Sequence, residues 1–315
     1  MRRRAGPIAV PSTHTRDRRR AVSGTPGPTG LCVVDKPAGW TSHDVVARCR
    51  RLLGTRKVGH SGTLDPMATG VLVLGVGRAT RLLNFLGGAA KTYEAEIRFG
   101  VETDSLDADG EVTATHDMDP PTAALARAAA AALTGDLLQV PPMVSAIKID
   151  GQRLHERARR GEVVERPPRP VTVRRYDVSP TDDPMVWTAT VECSAGTYVR
   201  VLAADLGAAL GGGAHLTALR RTAVGPFTID EAVALDDVGP SVLLAPSQVG
   251  RVMPSVTVDA PTAVDVGHGK VLERARLALE TAADGPWAVL DDDGTLLAVY
   301  EAHRGATVKP AFVLS

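Results

Sequence analysis

The chain has 315 residues, 44% of them hydrophobic and 23% charged, with a formal net charge of zero and only 3% aromatic residues. That length suits about two domains and gives ample material for a sizeable core. A polycation, a bilayer-spanning protein (no apolar run approaches about 18 residues) and, with only Cys32, Cys49 and Cys193, a disulfide scaffold are all excluded.

The overall neutrality hides an asymmetry. Residues 1–30 carry seven Arg against the single acid Asp17, a net of +6, so the rest of the chain sums to −6. The segment has a basic start without the apolar stretch of a secretory signal, and its Pro, Gly, Ser and Thr content predicts a disordered basic arm. Such an arm is either a solvated extension or a nucleic-acid-touching tail. The unpaired thiols and the absence of an export signal make the cytoplasm the expected location.

Leu31 to Val34 reads as a strand ending in the turn Asp35-Lys36-Pro37-Ala38-Gly39. Thr41 and Asp44 form a T-x-x-D helix start, Val45, Val46, Cys49, Leu52 and Leu53 give that helix its apolar face, and Gly54 is its expected stop. Arg48, Arg50, Arg51, Arg56 and Lys57 fall on or just beyond its exposed side. Residues 59–70 are loop chemistry directly before the buried strand 71–76, and a helix is expected near 79–86. Tyr93, Ala95, Ile97 and Phe99 alternate with Glu94, Glu96 and Arg98, a half-buried strand. The acidic stretch 103–110 reads as a solvated turn, and 122–134 as an Ala-rich helix. Residues 143–170 read as a strand, a short basic helix and an exposed loop. Strands at 171–178 and 186–194, a helix from about 199 to 210 and a strand at 215–224 follow. Past about residue 250, short strands separated by turns indicate a small, mainly β domain. The class is therefore α+β.

Several residues stand out chemically. Asp65 is a carboxylate in a Gly-rich loop ahead of a buried strand, and Pro66 restricts its backbone to extended conformations. An Asx-turn role is the alternative. Arg200, near a helix start, could pair with such a carboxylate and lower its pKa by roughly 1–3 units; it could equally be a surface arginine. Tyr93 lies on a core face but at the strand entrance, where a ring could stack on a base. His60 has no metal-ligand partners at zinc spacing, so a substrate or loop-structuring role is expected. No P-loop, dinucleotide fingerprint or calcium-loop pattern is present in the sequence.

Taken together, the stretches resemble one family. Gly59-His60-Ser61-Gly62-Thr63-Leu64-Asp65-Pro66-Met67-Ala68-Thr69-Gly70 is similar to the catalytic loop of the TruB-type tRNA pseudouridine synthases. Val33-Val34-Asp35-Lys36-Pro37 resembles that family's opening motif and Lys91-Thr92-Tyr93 its tyrosine motif. Pro141-Pro142-Met143-Val144-Ser145-Ala146-Ile147-Lys148 resembles its substrate-clasping segment. Gly196-Thr197-Tyr198-Val199-Arg200 and His215-Leu216-Thr217-Ala218-Leu219-Arg220-Arg221 resemble its two later motifs. The likeness runs in order from 31 to about 235. Related ribosomal-RNA synthases usually carry Arg-Leu-Asp, whereas Thr63 precedes Leu64-Asp65 here.

The resemblance implies an isomerase that converts uridine at position 55 of the tRNA T-loop to pseudouridine and consumes no cofactor. It implies a mixed, mainly antiparallel sheet with flanking helices, spanning 31–248 with an RNA-clasping insertion at about 143–170. A small PUA-like β domain at 249–315 completes it. Asp65 matches the nucleophile, Arg200 the residue that pairs with it and Tyr93 the ring stacked on the uracil. Tyr198, His60 and Leu219 match further substrate contacts, and Lys36 of the opening motif is expected to bind substrate as well. Whether Asp65 would attack ribose or uracil stays open at this stage. The implied partner is the tRNA T-arm, with the protein a monomer away from membranes and no metal. Residues 251–315 carry nine acids against six bases, which departs from a strongly basic RNA binder. A ribosomal-RNA synthase and a non-catalytic tRNA-binding protein are the alternatives.

Overall fold

The computed structural model describes residues 27–145, 164–279 and 284–314, with the backbone of 148–149 and 152–153. Most of the basic arm expected at 1–30 and the basic stretch of the expected clasping insertion lie outside the described residues.

Two sheets organise the chain, and the mixed α+β class is as expected. The larger has ten strands: β1 (Gly30–Lys36), β2 (Val58–His60), β3 (Thr69–Val76), β4 (Lys91–Phe99), β5 (Gly135–Gln139), β6 (Arg169–Pro180), β7 (Val186–Cys193), β8 (Ala214–Val224), β9 (Phe227–Thr228) and β10 (Val233–Ala234). Their spatial order is β10-β1-β3-β8-β4-β7-β6-β5, with β2 on β3 and β9 on β8. Pairing is antiparallel except β1 with β10 and β3 with β8. A smaller five-stranded sheet is built from β11 (Ser255–Thr257), β12 (Leu272–Glu273), β13 (Trp287–Leu290), β14 (Leu296–Ala302) and β15 (Thr307–Val313).

Helix α1 (Ser42–Leu52) starts at the expected signal: the Thr41 side chain accepts from the Asp44 N–H and the Asp44 carboxylate accepts from the Thr41 N–H. This reciprocal cap satisfies two donors that a helix start leaves orphaned. Its buried residues Val45, Val46 and Cys49 pack on Cys32, Val34, Leu72 and Leu74 of β1 and β3. The helix expected near 79–86 is instead a 3₁₀ stretch, Gly77–Leu82, followed by one turn, Leu83–Leu86. Within 143–148, where a strand was expected, Met143–Ser145 is not strand, while Lys148–Ile149 pairs with Gln152–Arg153. Helices α2 (Ala123–Ala132) and α3 (Val199–Ala209) bury Ala126, Ala130, Leu202 and Leu206 against β4, β6 and β7.

The strict alternation in β4 puts Tyr93, Ala95, Ile97 and Phe99 into that core. The second sheet shares a core with the first: Ala288, Leu296, Val299 and Phe312 pack with Leu31, Val33, Val71 and Phe227. Four elements, the loop into β3, the start of β4, the start of α3 and the middle of β8, thus converge at one place.

Candidate active site

The 61–68 segment is fixed by bonds to its neighbours. Ser42 on α1 accepts from the Leu64 N–H at 2.9 Å and donates back to the Leu64 carbonyl at 3.2 Å. The Lys36 ammonium, fully buried (0% exposed), donates to the carbonyls of Pro37, Trp40 and Pro66 at 3.0, 2.6 and 3.1 Å. The loop exits at Gly70 with φ +99°, and a Cβ there would lie 2.2 Å from the Arg221 carbonyl oxygen, so only glycine fits. Asp65 is carried at the loop's tip.

The first turn of α3 brings Arg200 to it. Gln139 pins the start of α3 from both sides, accepting from the Tyr198 N–H at 2.7 Å and donating to the Tyr198 carbonyl at 3.1 Å. Arg200 is 2% exposed, so the surface-arginine alternative is excluded. Its Nε lies 3.0 Å from Asp65 Oδ2, and its Nη1 lies 3.2 Å from Asp107 Oδ2. It also donates to the Ser105 carbonyl at 2.6 Å and the Val144 carbonyl at 2.9 Å. One guanidinium therefore bridges two carboxylates and two backbone segments. Its two hydrogen bonds to carbonyls fix the guanidinium's orientation, and the two carboxylates meet it as ion pairs.

Asp107 is the residue that the charge pattern hid. In an acidic turn it reads as solvated, yet it is 4% exposed. The turn is pinned: Asp107 forms a parallel bridge with Leu216 of β8, and the Leu216 N–H donates to the Leu106 carbonyl. Ser105 donates to Asp107 Oδ1 at 2.5 Å. The available sequence signal was the run of short polar residues flanking Asp107, which can bond their own backbone in a closed turn.

Around Asp65 and Arg200 opens a cavity of about 350 Å³, lined by Tyr93, Tyr198, Leu219, Lys91, Arg221 and the loop residues. About a third of the Asp65 side chain (33%) is open to solvent, enough for contact with a ligand. Five of the expected site residues thus meet: Asp65, Tyr93, Tyr198, Arg200 and Leu219. Lys36 and His60 do not line the cavity. Lys36 lies under the loop, and His60 on β2 stands edge-on to His43, ring centroids 5.5 Å apart, with its Nδ1 buried and without a hydrogen-bond partner. Arg221 and Lys91 belong to motifs read in the sequence, but no role was read for them.

The electrostatics differ in sign from the sequence expectation. Burial pushes the Asp65 carboxyl above its ordinary value, Arg200 pulls it down, and the charge of Asp107 pushes it up again. The net direction is upward because desolvation of a charged group outweighs one shared counter-ion. Burial likewise raises the Tyr198 phenol, against a bond from Ser145. Lys91 is pushed down to about 8 by burial and by the charge of Arg221. Among the described residues no cluster of His, Cys, Asp and Glu could hold a metal ion.

Comparison with known proteins gives this geometry its context. The fold is similar to a chain in the crystal structure of a Cbf5-Nop10-Gar1 complex, with TM-score 0.72 and 25% identity, over 91% of this chain and 85% of that one. Residues 50–199 match the N-terminal domain model of the TruB family pseudouridylate synthases. Residues 200–252 match a C-terminal domain model of tRNA pseudouridylate synthase B, and 253–315 the C-terminal model of tRNA pseudouridine synthase II. Fold, cavity and family models together define an isomerase of the pseudouridine synthase class. Two curated relatives, each named tRNA pseudouridine synthase B, come from Arthrobacter sp. (strain FB24) and Nocardia farcinica (strain IFM 10152). The first is 49% identical over 91% of this chain and 97% of the relative, the second 51% over 90% and 93%. The chain belongs to the TruB family of pseudouridylate synthases.

Proposed function

We propose that the protein converts the uridine at position 55 of the tRNA T-loop into pseudouridine, with Asp65 as nucleophile on a flipped-out nucleotide. The observation that carries this reading is the Asp65–Arg200 pair at 3.0 Å on the wall of a base-sized cavity flanked by two tyrosine rings. The relatives' name, tRNA pseudouridine synthase B, supplies the substrate class.

The chemistry follows from the residues. A uridine held in a folded loop must leave its stack to be reached, at a cost of a few kcal/mol. Stacking on Tyr93 returns about 1–3 kcal/mol, and Leu219 closes the apolar side of the slot. Phosphate contacts from basic side chains on and after α1 supply the rest and make binding salt-dependent. Arg200 beside it opposes the burial that favours the neutral form of Asp65, and the ionised carboxylate is the nucleophile. It bonds covalently to the substrate, the bond from N1 to ribose breaks, the uracil turns, carbon 5 bonds to the ribose, and the bond to Asp65 breaks again with its electron pair returning to the carboxylate. One proton leaves carbon 5 and one is gained at N1, so the product is an isomer and no cofactor is consumed. Tyr198 contacts the turning ring, His60 contributes to the flipped nucleotide from outside the cavity wall, and Lys36 holds the Asp65 loop.

We assign the chemistry to residues 31–248 and treat 249–315 as a PUA-like unit. Its net acidity argues against tight RNA contact. The enzyme is taken as a cytoplasmic monomer. The test is incubation with an isolated T-arm stem-loop and, separately, with ribosomal-RNA fragments, followed by mass-resolved location of pseudouridine. Product at the T-loop uridine is expected. Product only in ribosomal RNA would transfer the assignment to that class, and binding without product would leave a non-catalytic tRNA-binding protein.

A further inference from the structure

Beyond Asp65 and Arg200 the cavity holds a second buried guanidinium that the reaction as described does not use. Arg221 is 1% exposed. Its Nε donates to the Val71 carbonyl at 2.7 Å, Nη1 to the Thr63 carbonyl at 3.3 Å and Nη2 to the Gly62 carbonyl at 3.2 Å. Gly62 and Thr63 lead into the Asp65 loop, and Val71 follows it. One side chain thus ties together both limbs of the loop that carries the nucleophile. Every bond in this set is to a neutral carbonyl, and no carboxylate among the described residues pairs with it. A buried charge left without a counter-ion is costly, so its retention at the wall of a reaction cavity calls for a reason.

The register supplies one. Arg221 on β8 lies directly opposite Tyr93 on β4 and opposite Gly70 on β3, and both side chains face the same cavity. The influence of the guanidinium is felt around it: its charge adds to burial in pushing Lys36 and Lys91 down to about 8. At Tyr93 burial raises the phenol, Arg221 opposes that by charge and hydrogen bonding, and the neighbouring Cys193 and Asp65 push the other way. Among these facing groups, Arg221 is the one that favours negative charge on the phenolic oxygen.

We propose that Arg221 is a positioning residue of the reaction, clamping the two limbs of the Asp65 loop while presenting its unneutralised charge to the Tyr93 phenol. The inference rests on the pseudouridine synthase reading above. A phenolic oxygen facing a fixed cation turns its O–H toward the cavity or, once deprotonated, is held there as a phenolate. Arg221 therefore biases Tyr93 toward its ionised form, against the burial that raises the phenol, without needing to touch the substrate. Arginine suits both tasks because its planar fork can bond three carbonyls while staying charged.

The test compares log kcat against pH for the wild type, Arg221→Lys and Arg221→Gln on a T-arm stem-loop, with Kd and folding measured on the same samples. Arg221→Lys keeps the charge but loses the fork, so its kcat falls while the pH inflections stay where the wild type has them. Arg221→Gln loses the charge, and the inflection governed by Tyr93 moves to higher pH by about 1–3 units, the usual effect of an adjacent opposite charge. Kd changes little in either. Inflections unmoved in Arg221→Gln would overturn the proposal. So would equal kcat losses and identical profiles in the two variants, or loss of folding in both, which would leave Arg221 a core residue alone. Absence of any pseudouridine from the wild type would instead refute the reading of the reaction, which separates the two failures.

Discussion

Replacing Arg200 with Met keeps an unbranched side chain of similar length and removes the charge. In the wild type Nε stands 3.0 Å from Asp65 Oδ2. Coulomb's law at an effective dielectric of about 20 gives about 5 kcal/mol for unit charges at that separation. The open third of the Asp65 side chain admits solvent, which screens this to about 2–3 kcal/mol, or about two pKa units. The carboxyl already sits above its ordinary value through burial, so a further rise brings it toward neutrality. The sign follows from the proposed nucleophilic role of Asp65: on that reading the ionised form is the active one, activity is present above the folded-state pKa, and a raised pKa moves the acid limb upward. The expected result for Arg200→Met is a single-turnover rate whose acid limb lies about two pH units above that of the wild type, with partial recovery at alkaline pH and tRNA Kd little changed. Asp107, 3.2 Å from the same guanidinium, loses its partner too and adds to the upward push on Asp65. Arg200→Met combined with Asp107→Asn therefore lowers the limb again relative to the single variant. A rate loss with an unmoved limb, or a loss confined to Kd, would refute this reasoning.

Two further outcomes follow from the geometry. Tyr93→Ala removes the stacking surface and weakens capture of the flipped base by about 1–3 kcal/mol, read as a roughly 5- to 150-fold loss in kcat/KM; unchanged kcat/KM would remove Tyr93 from the site. Gly70→Ala sets a Cβ 2.2 Å from the Arg221 carbonyl oxygen at φ +99°, so backbone must move, and thermal unfolding is expected to show a loss of at least about 2 kcal/mol, whereas an unchanged Tm would contradict the close approach.

Much of this was legible in the residues because it is local. The Thr41–Asp44 cap, the alternation through Tyr93 and Phe99 and the i, i+4 leucines of α3 each act within one or two turns of chain, where propensity and periodicity decide. The candidate site rests on another signal: its motifs resemble a family, and five of the residues named from them meet at one cavity. What could not be read is what depends on distant partners. Asp107 looks solvated until Leu216, more than a hundred residues later, closes the turn onto β8. Lys36 resembles a substrate contact until its ammonium is found spent on three carbonyls beneath the loop. The sign of the Asp65 shift needed the depth of burial, which no spacing reports. The 3₁₀ stretch at Gly77–Leu82 stands where a helix was expected near 79–86, and it packs with Ala79 and Leu82 buried against β1 and β3.

The central claim is that the carboxylate at position 65 performs the chemistry on tRNA. The measurement that tests it most directly is mass-resolved mapping of pseudouridine in a full-length unmodified tRNA after treatment with the wild type and with Asp65→Asn, with tRNA binding measured in parallel. Pseudouridine at position 55 with the wild type, none with Asp65→Asn and comparable binding by both is the predicted result; normal turnover by Asp65→Asn would contradict it.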